Sequence, residues 1–262
     1  MTKTILITGS TDGIGLLTAQ TLAAEGHQVL LHGRNSAKLE AAAKTINGPV
    51  AQYIADLSNM ADVHALANAI RADHDQIDVV INNAGILKTQ NTVTESGYDL
   101  RFMVNAIAPY VLTRDLLPII AKDGRVVNLS SAAQSPVDLD ALHGRSPLSD
   151  MDAYAQSKLA LTIWSREMAK ELPDGPAIIA VNPGSLLASK MVKEGFGVAG
   201  SDLGIGANIL REAAVGAGFA MASGKYFDND SQQFTQPNAA ALDAAHSAKV
   251  MQGLDEAAVA LG

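Results

Sequence analysis

Tyr154 and Lys158 stand four residues apart in Tyr154-Ala155-Gln156-Ser157-Lys158, which puts a phenol and an ammonium on one face of a helix expected to run to about Glu171. A phenol with an ordinary pKa near 10 is protonated at neutral pH, and lowering it by ~2 units takes about 2.7 kcal/mol of extra phenolate stabilisation. One cation can supply this: two unit charges about 4 Å apart interact by about 4 kcal/mol at an effective dielectric of 20, less the desolvation of the lysine. The pair predicts proton exchange by a tyrosine whose pKa is lowered by its lysine. Alone, Y-x-x-x-K is a common helical pair, so the chemistry depends on what else reaches the same place.

A second group of residues suits phosphate. Gly9, Ser10, Thr11, Asp12, Gly13, Ile14 and Gly15 lie between an apolar run ending at Thr8 and an amphipathic helix. Glycines there permit a tight turn and close approach of the backbone to a pyrophosphate, while the helix N-terminus supplies free N–H groups and a partial positive charge. The spacing is G-x-x-x-G-x-G rather than G-x-G-x-x-G. After the second apolar run come His32-Gly33-Arg34-Asn35, with no carboxylate for a ribose 2′-hydroxyl and with Arg34 offering a planar fork suited to a 2′-phosphate. These residues predict NADP(H) over NAD(H), with NAD(H) as the alternative.

Such a loop needs a strand before it and a helix after it. Thr4 to Thr8, Gln28 to His32, Val50 to Ile54, Ile77 to Asn82, Arg125 to Leu129 and Ala177 to Asn182 are short apolar runs. They alternate with helical stripes such as Ile14, Leu17, Thr18, Thr21 and Leu22, or Val63, Leu66, Ala67 and Ile70. Most runs lack a polar/apolar alternation, as strands do when helices cover both faces of a sheet. The expectation is a single-domain, Rossmann-like α/β fold over 1–262, a doubly wound parallel sheet flanked by helices, with ligands beyond the carboxyl ends of the strands. Its cofactor-binding part is expected over about 1–130 and its catalytic and substrate-binding part over about 131–262.

Taken in order, these motifs resemble the short-chain dehydrogenases/reductases, whose cofactor loop reads T-G-x-x-x-G-I-G, here Thr8 to Gly15. The resemblance extends over most of the chain. It implies that Asp56-Leu57 contacts adenine, and that Asn82-Asn83-Ala84-Gly85 stabilises the sheet and lines the cofactor cleft. Asn128-Leu129-Ser130-Ser131 matches N-x-S-S, whose second serine, Ser131, hydrogen-bonds the substrate oxygen; the residues alone do not choose between Ser130 and Ser131. Tyr154 and Lys158 then become catalytic and cofactor-contacting residues. Asn105 matches the asparagine whose carbonyl holds a water linking the lysine to solvent. Pro109, four residues later in the apparent helix, has no N–H to give that carbonyl, which leaves it free for water; a helix that is only kinked is the alternative. Asn182-Pro183-Gly184 matches the turn after the sixth strand.

Two departures stand out. Ala132 to Ala153 is longer than the family's usual spacing and reads as a surface insertion, either covering the substrate or a passive excursion. This insertion and Gly224-Lys225-Tyr226-Phe227 resemble the retinol-dehydrogenase-like and protochlorophyllide-reductase-like subgroup. Where a threonine usually contacts the nicotinamide stands Ala188, with Ser185 or Ser189 as substitutes. Lys190 to Gly200 is expected to form a mobile substrate loop or a plain helix, and Ala239 to Leu261 a terminal helix closing the substrate side or making a subunit contact.

Composition narrows the rest. The absence of cysteine removes disulfides, thiolate metal sites and thiol nucleophiles. With 19 basic against 27 acidic side chains, there is no basic stripe for nucleic acid or an acidic membrane surface. Six scattered histidines lack ligand spacing, and Asp228-Asn229-Asp230 lacks the glycine and glutamate of a calcium loop, so no metal site is expected. The first residues carry only a three-residue apolar run, so a cytoplasmic location is expected. The expected partner is a small carbonyl or alcohol molecule, with a homo-oligomer compatible. The competing reading is a non-catalytic NADP(H)-binding regulator, against which the joint presence of Asn105, Ser131, Tyr154 and Lys158 speaks.

Overall fold

The β-branched and aliphatic run Thr4-Ile-Leu-Ile7 forms the first strand, β1 (Thr4–Ile7), at the middle of the sheet. The computed structural model describes residues 2–188, 191, 197 and 199–262. In chain order there follow α1 (Gly13–Ala24), β2 (Gln28–Gly33), α2 (Ser36–Lys44), β3 (Val50–Ile54), α3 (Met60–Asp73) and β4 (Ile77–Asn82). A short α4 (Leu100–Phe102) leads through a π-helical turn (Met103–Ile107) into α5 (Ala108–Leu116), and β5 (Ile120–Leu129) follows. The remainder comprises α6 (Leu139–Leu142), α7 (Asp150–Glu171), β6 (Ala177–Asn182), α8 (Leu203–Val215), β7 (Tyr226–Asp228), β8 (Gln233–Thr235) and α9 (Ala244–Leu261).

The strands form one sheet in the order β3-β2-β1-β4-β5-β6-β7-β8. All neighbours are parallel except β7 and β8, which pair antiparallel. Order reverses at β1, so the crevice between β1 and β4 at their carboxyl ends is the switch point where such folds take a ligand. The single-domain, Rossmann-like expectation holds, and the parallel sheet is extended by one antiparallel edge.

Alternate residues of each central strand feed separate cores, which is why these strands show no polar/apolar alternation. Leu6, Leu30, Val80, Val126 and Ile178 pack with α3, α5, α7 and α9 on one face. Ile5, Ile7, Val29, Leu31, Val79, Ile81, Val127 and Ile179 pack with α1, α2 and α8 on the other. The α3 stripe is buried as expected. In α1 the buried side is Gly15, Thr18, Ala19, Leu22 and Ala23, so Leu17 and Thr21 sit at its margin. Thr18 and Thr21 turn their hydroxyls back onto the carbonyls of Ile14 and Leu17.

Four elements differ from the sequence reading. β5 begins at Ile120 rather than Arg125, because Lys122-Asp123-Gly124 is taken up as an irregularity opposite Ile77 to Val79 instead of ending the strand. β7 and β8 are only three residues each, too short to register as periodic runs. The terminal helix starts at Ala244, capped by Asp243 and preceded by a single turn at Ala239–Ala241. Of the expected substrate loop, most residues lie outside those described, as does Ser189.

Candidate active site

The glycine loop joins β1 to α1 at the switch point, and its tightness has local causes. Gly9 holds φ +63°, and a Cβ there would lie 2.9 Å from the Ala84 Cα. A Cβ on Gly15 would lie 2.5 Å from the Gly9 carbonyl oxygen and collide with the Asn83 amide. Asn83 donates from Nδ2 to the carbonyls of Thr8 (2.8 Å) and Gly9 (2.9 Å), tying the end of β4 to the loop. Asp12 caps α1 without a side-chain hydrogen bond, so its carboxylate does not consume the N–H groups of the first turn. The residues present therefore fit a pyrophosphate: a cradle that side chains would fill, above a helix end with N–H groups to offer.

Around this cradle, Gly33 ends β2 where a Cβ would meet the Thr11 methyl, and the exposed Arg34 follows directly. Asp56 accepts the N–H and hydroxyl of Ser58 on one carboxylate oxygen, while Asn59 caps α3. Leu57 is buried. Asn82 lies in the sheet, donating to Thr113 Oγ1 and to Asn128 Oδ1, and Asn128 donates on to Ser165. This buried amide chain crosses from α5 through β4 and β5 to α7.

The second half of the site lies at the ends of β5 and α7. Lys158 is buried, and its Nζ donates to the Leu129 carbonyl at 2.7 Å while standing 5.6 Å from the Tyr154 ring centroid. Desolvation pushes the Lys158 ammonium down to about 8. Gly85 sits beside it: a Cβ there would lie 3.3 Å from Lys158 Nζ and 3.4 Å from Asn105 Oδ1. Asn105, in the π turn, accepts the Ile86 N–H on Oδ1 and donates from Nδ2 to the Ile86 carbonyl and to Ser157 Oγ. Ser157 in turn donates to the Tyr154 carbonyl, one turn back along α7. The helix around Asn105 takes a widened turn, in which the Ala108 N–H reaches the Met103 carbonyl five residues back and Pro109 follows at once.

The two serines part company. Ser130 is buried, with its hydroxyl 2.6 Å from that of Thr162 and accepting from Gln134. Ser131 is partly exposed, and its hydroxyl accepts the Ala133 N–H and bears on the Tyr154 phenol. Burial pushes that phenol up, and the opposing pull comes from Ser131 rather than from Lys158. The lysine, expected to lower the phenol, is instead aimed at a main-chain carbonyl. Tyr154 itself keeps some solvent exposure.

Gln134 and Tyr226 hold Ser131 in place, a role no motif disclosed. Both donate to the Ser131 carbonyl, at 2.8 Å and 3.0 Å. Gln134 also accepts the Asn238 N–H. The insertion 132–153 is therefore anchored: Val137, Ala141 and Leu142 are buried with Val250 and Leu254 of α9, and the Val137 N–H donates to His246. Its apolar residues at 137, 141 and 142 were the available signal that it is not a surface excursion.

After β6, Pro183 gives its carbonyl to Asn229 and Gly184 takes φ +122°. Ser185, a substitute for the missing threonine by sequence, spends its N–H and hydroxyl on Asp230. Among the described residues no group of three or more histidines and carboxylates is arranged to hold a metal ion, and no helix is long and apolar enough to cross a membrane.

The short chain dehydrogenase family model matches residues 3–196. Retinol dehydrogenase 13 of Homo sapiens is 31% identical over 264 residues, spanning 90% of this chain and 79% of the relative. Retinol dehydrogenase 12 of Bos taurus is 32% identical, over 90% and 81%. Among solved structures, an uncharacterized protein from Mycobacterium Paratuberculosis has a TM-score of 0.84 at 28% identity, covering 98% of this chain and 93% of that one. A short chain dehydrogenase from Shigella flexneri, complexed with NADP, has a TM-score of 0.69 at 28% identity over 87% and 97%. With the glycine cradle and the Ser131, Tyr154 and Lys158 cluster inside the matched stretch, the chain belongs to the short chain dehydrogenase family.

Proposed function

We propose that this protein is an NADP(H)-dependent oxidoreductase acting between a carbonyl and an alcohol, with Tyr154 as general acid/base. The observation that carries this reading is the convergence of Ser131, Tyr154 and Lys158 beside a glycine cradle that fits a dinucleotide. The nicotinamide, when bound, supplies or takes the hydride. The phenol of Tyr154 gives its proton to the substrate oxygen in reduction and recovers it in oxidation. Ser131 donates a hydrogen bond to the same oxygen and stabilises charge developing there. Lys158, mainly cationic at neutral pH, holds ribose hydroxyls. The Asn105 carbonyl holds a water that connects Lys158 to solvent.

An upward-shifted phenol favours one direction at neutral pH. The proton donor for reduction is already in place, whereas oxidation needs the phenolate, so oxidation is expected to quicken as pH rises above neutral. The cofactor contacts are assigned to Gly9 through Gly15, Asp56, Leu57, Asn83, Ala84, Gly85, Pro183 and Gly184, and the substrate is a small carbonyl or alcohol compound met in the cytoplasm. The likeness to retinol dehydrogenases supports the subgroup suggested by the insertion.

Arg34 is assigned to the 2′-phosphate. Arg34→Ala is expected to weaken NADPH about tenfold or more and leave NADH nearly unchanged, as measured by calorimetry. Tighter binding of NADH than of NADPH by the unaltered protein would reverse the assignment. The reaction itself is tested by following nicotinamide absorbance with a panel of aldehydes, ketones and quinones, then in reverse with NADP⁺ and alcohols. Tyr154-dependent turnover supports the reading; tight NADPH binding without turnover in either direction would favour the regulator.

The buried lysine also makes a stability prediction. Its pKa is 10.5 when solvated and about 8 in the fold, so between these values the unfolded chain binds more protons and stability rises with pH. The contribution is complete above the unfolded value and lost as pH falls through about 8. Denaturant unfolding should therefore show the stability of the natural chain, relative to Lys158→Met, increasing from pH 7.5 to pH 10. A flat difference would contradict the lysine's depressed pKa.

A further inference from the structure

One buried titratable group next to the cradle has no part in the chemistry above. His32 lies near the carboxyl end of β2, 3% exposed. Its Nδ1 is 3.1 Å from the Gly9 nitrogen, and its Nε2 is 3.1 Å from the Ala55 carbonyl oxygen. A backbone N–H can only donate and a backbone carbonyl can only accept, so these partners settle the tautomer: Nδ1 is the acceptor and Nε2 carries the proton. The main chain of His32 grips the next loop residue as well. Its N–H donates to Ser10 Oγ, and its carbonyl accepts the Ser10 N–H, each at 3.0 Å.

We propose that His32 is a positioning residue of the cofactor site: by accepting the Gly9 N–H it fixes the peptide that aims the rest of the loop and the first turn of α1 at a dinucleotide pyrophosphate. The inference rests on the nicotinamide reading above. Gly9 stands in the left-handed region with its carbonyl taken by Asn83, so its N–H and its carbonyl are each held from a different strand end, His32 on β2 and Asn83 after β4. The Gly9 N–H is thereby spent inside the fold and orients the loop instead of touching the ligand. Through Ala55, the same imidazole spaces the loop from the end of β3, immediately before Asp56. A proton on Nδ1 would set two donors face to face; burial holds the imidazole down to about 4, against the Ala55 hydrogen bond and the Asp56 charge, so the acceptor persists at neutral pH.

Two substitutions separate positioning from packing. His32→Asn places an amide oxygen near Nδ1 and keeps the acceptor for Gly9; His32→Gln places an amide N–H near Nε2 and keeps only the bond to Ala55. Each loses one hydrogen bond, so a merely structural role predicts equal effects. Calorimetric titration with NADPH is expected to leave His32→Asn within about threefold of the natural chain, and to weaken His32→Gln and His32→Leu about tenfold or more, the effect of an unsatisfied loop N–H. Equal losses in the Asn and Gln variants, or unaltered binding by His32→Leu, would overturn the proposal. If the natural chain bound neither NADPH nor NADH, the nicotinamide reading itself would fall and this inference with it, a result distinct from a failure of the His32 contact alone.

Discussion

Tyr154→Phe is expected to lower kcat about 10³-fold in either direction while leaving NADPH affinity and thermal stability nearly unchanged. The phenol oxygen is the only atom removed, and the ring keeps its place above Lys158. Ser131 then has no phenol to influence, and proton transfer to or from the substrate oxygen falls to solvent. Hydride transfer without a matched proton transfer leaves charge on that oxygen, which Ser131 alone cannot neutralise. Stopped-flow and steady-state rates under saturating cofactor would check this. A variant retaining most of its kcat would remove Tyr154 from the mechanism, and would leave the site as a cofactor holder.

Arg101→Ala is expected to cost about 3 kcal/mol of stability, the low end for breaking a buried ion pair from one side. The Arg101 side chain is 1% exposed and donates to both carboxylate oxygens of Asp99, at 2.8 Å and 2.7 Å, and to Asp150 Oδ1 at 2.5 Å. Asp150 opens α7, so the guanidinium fastens the start of the helix that carries Tyr154 and Lys158 to the segment leading into the π turn with Asn105. Truncation strands two carboxylates and leaves a void. For a chain of this size the melting temperature should fall by about 6–12 °C, read by thermal unfolding. Asp150→Asn should cost no more than about 1 kcal/mol, because that carboxylate is 39% exposed and solvent screens it. If Arg101→Ala melted with the natural chain, the triad would be a surface ornament rather than a brace for the site.

The architecture explains why the insertion matters to the site. Ser131 is held by Gln134 from the insertion and by Tyr226 from β7, and Asn238 ties Gln134 to the segment before α9. Ser131 is thus braced by a residue far downstream in the chain, as the Tyr226 contact shows with its separation of 95. No local spacing encodes such a brace.

Local order along the chain determined the parallel core and the cradle. Six apolar runs between helical stripes are a short-range pattern, and glycines at 9, 13 and 15 between a strand and a helix are a backbone requirement that any reader of the sequence can see. Tyr154 and Lys158 were legible for the same reason, since a helix alone puts positions four apart on one face. What required the tertiary structure is everything set by contacts between distant segments. Ser130 and Ser131 are adjacent in sequence, and only the neighbourhood of Thr162, Gln134 and Tyr154 separates their roles. The direction of the Tyr154 shift depended on burial and on where Lys158 points, which spacing does not specify. The short strands β7 and β8, the packing of 137–142 under α9, and the grip of His32 on Gly9 follow likewise from long-range burial and hydrogen bonding, because a buried polar group must find its partner wherever the fold brings one.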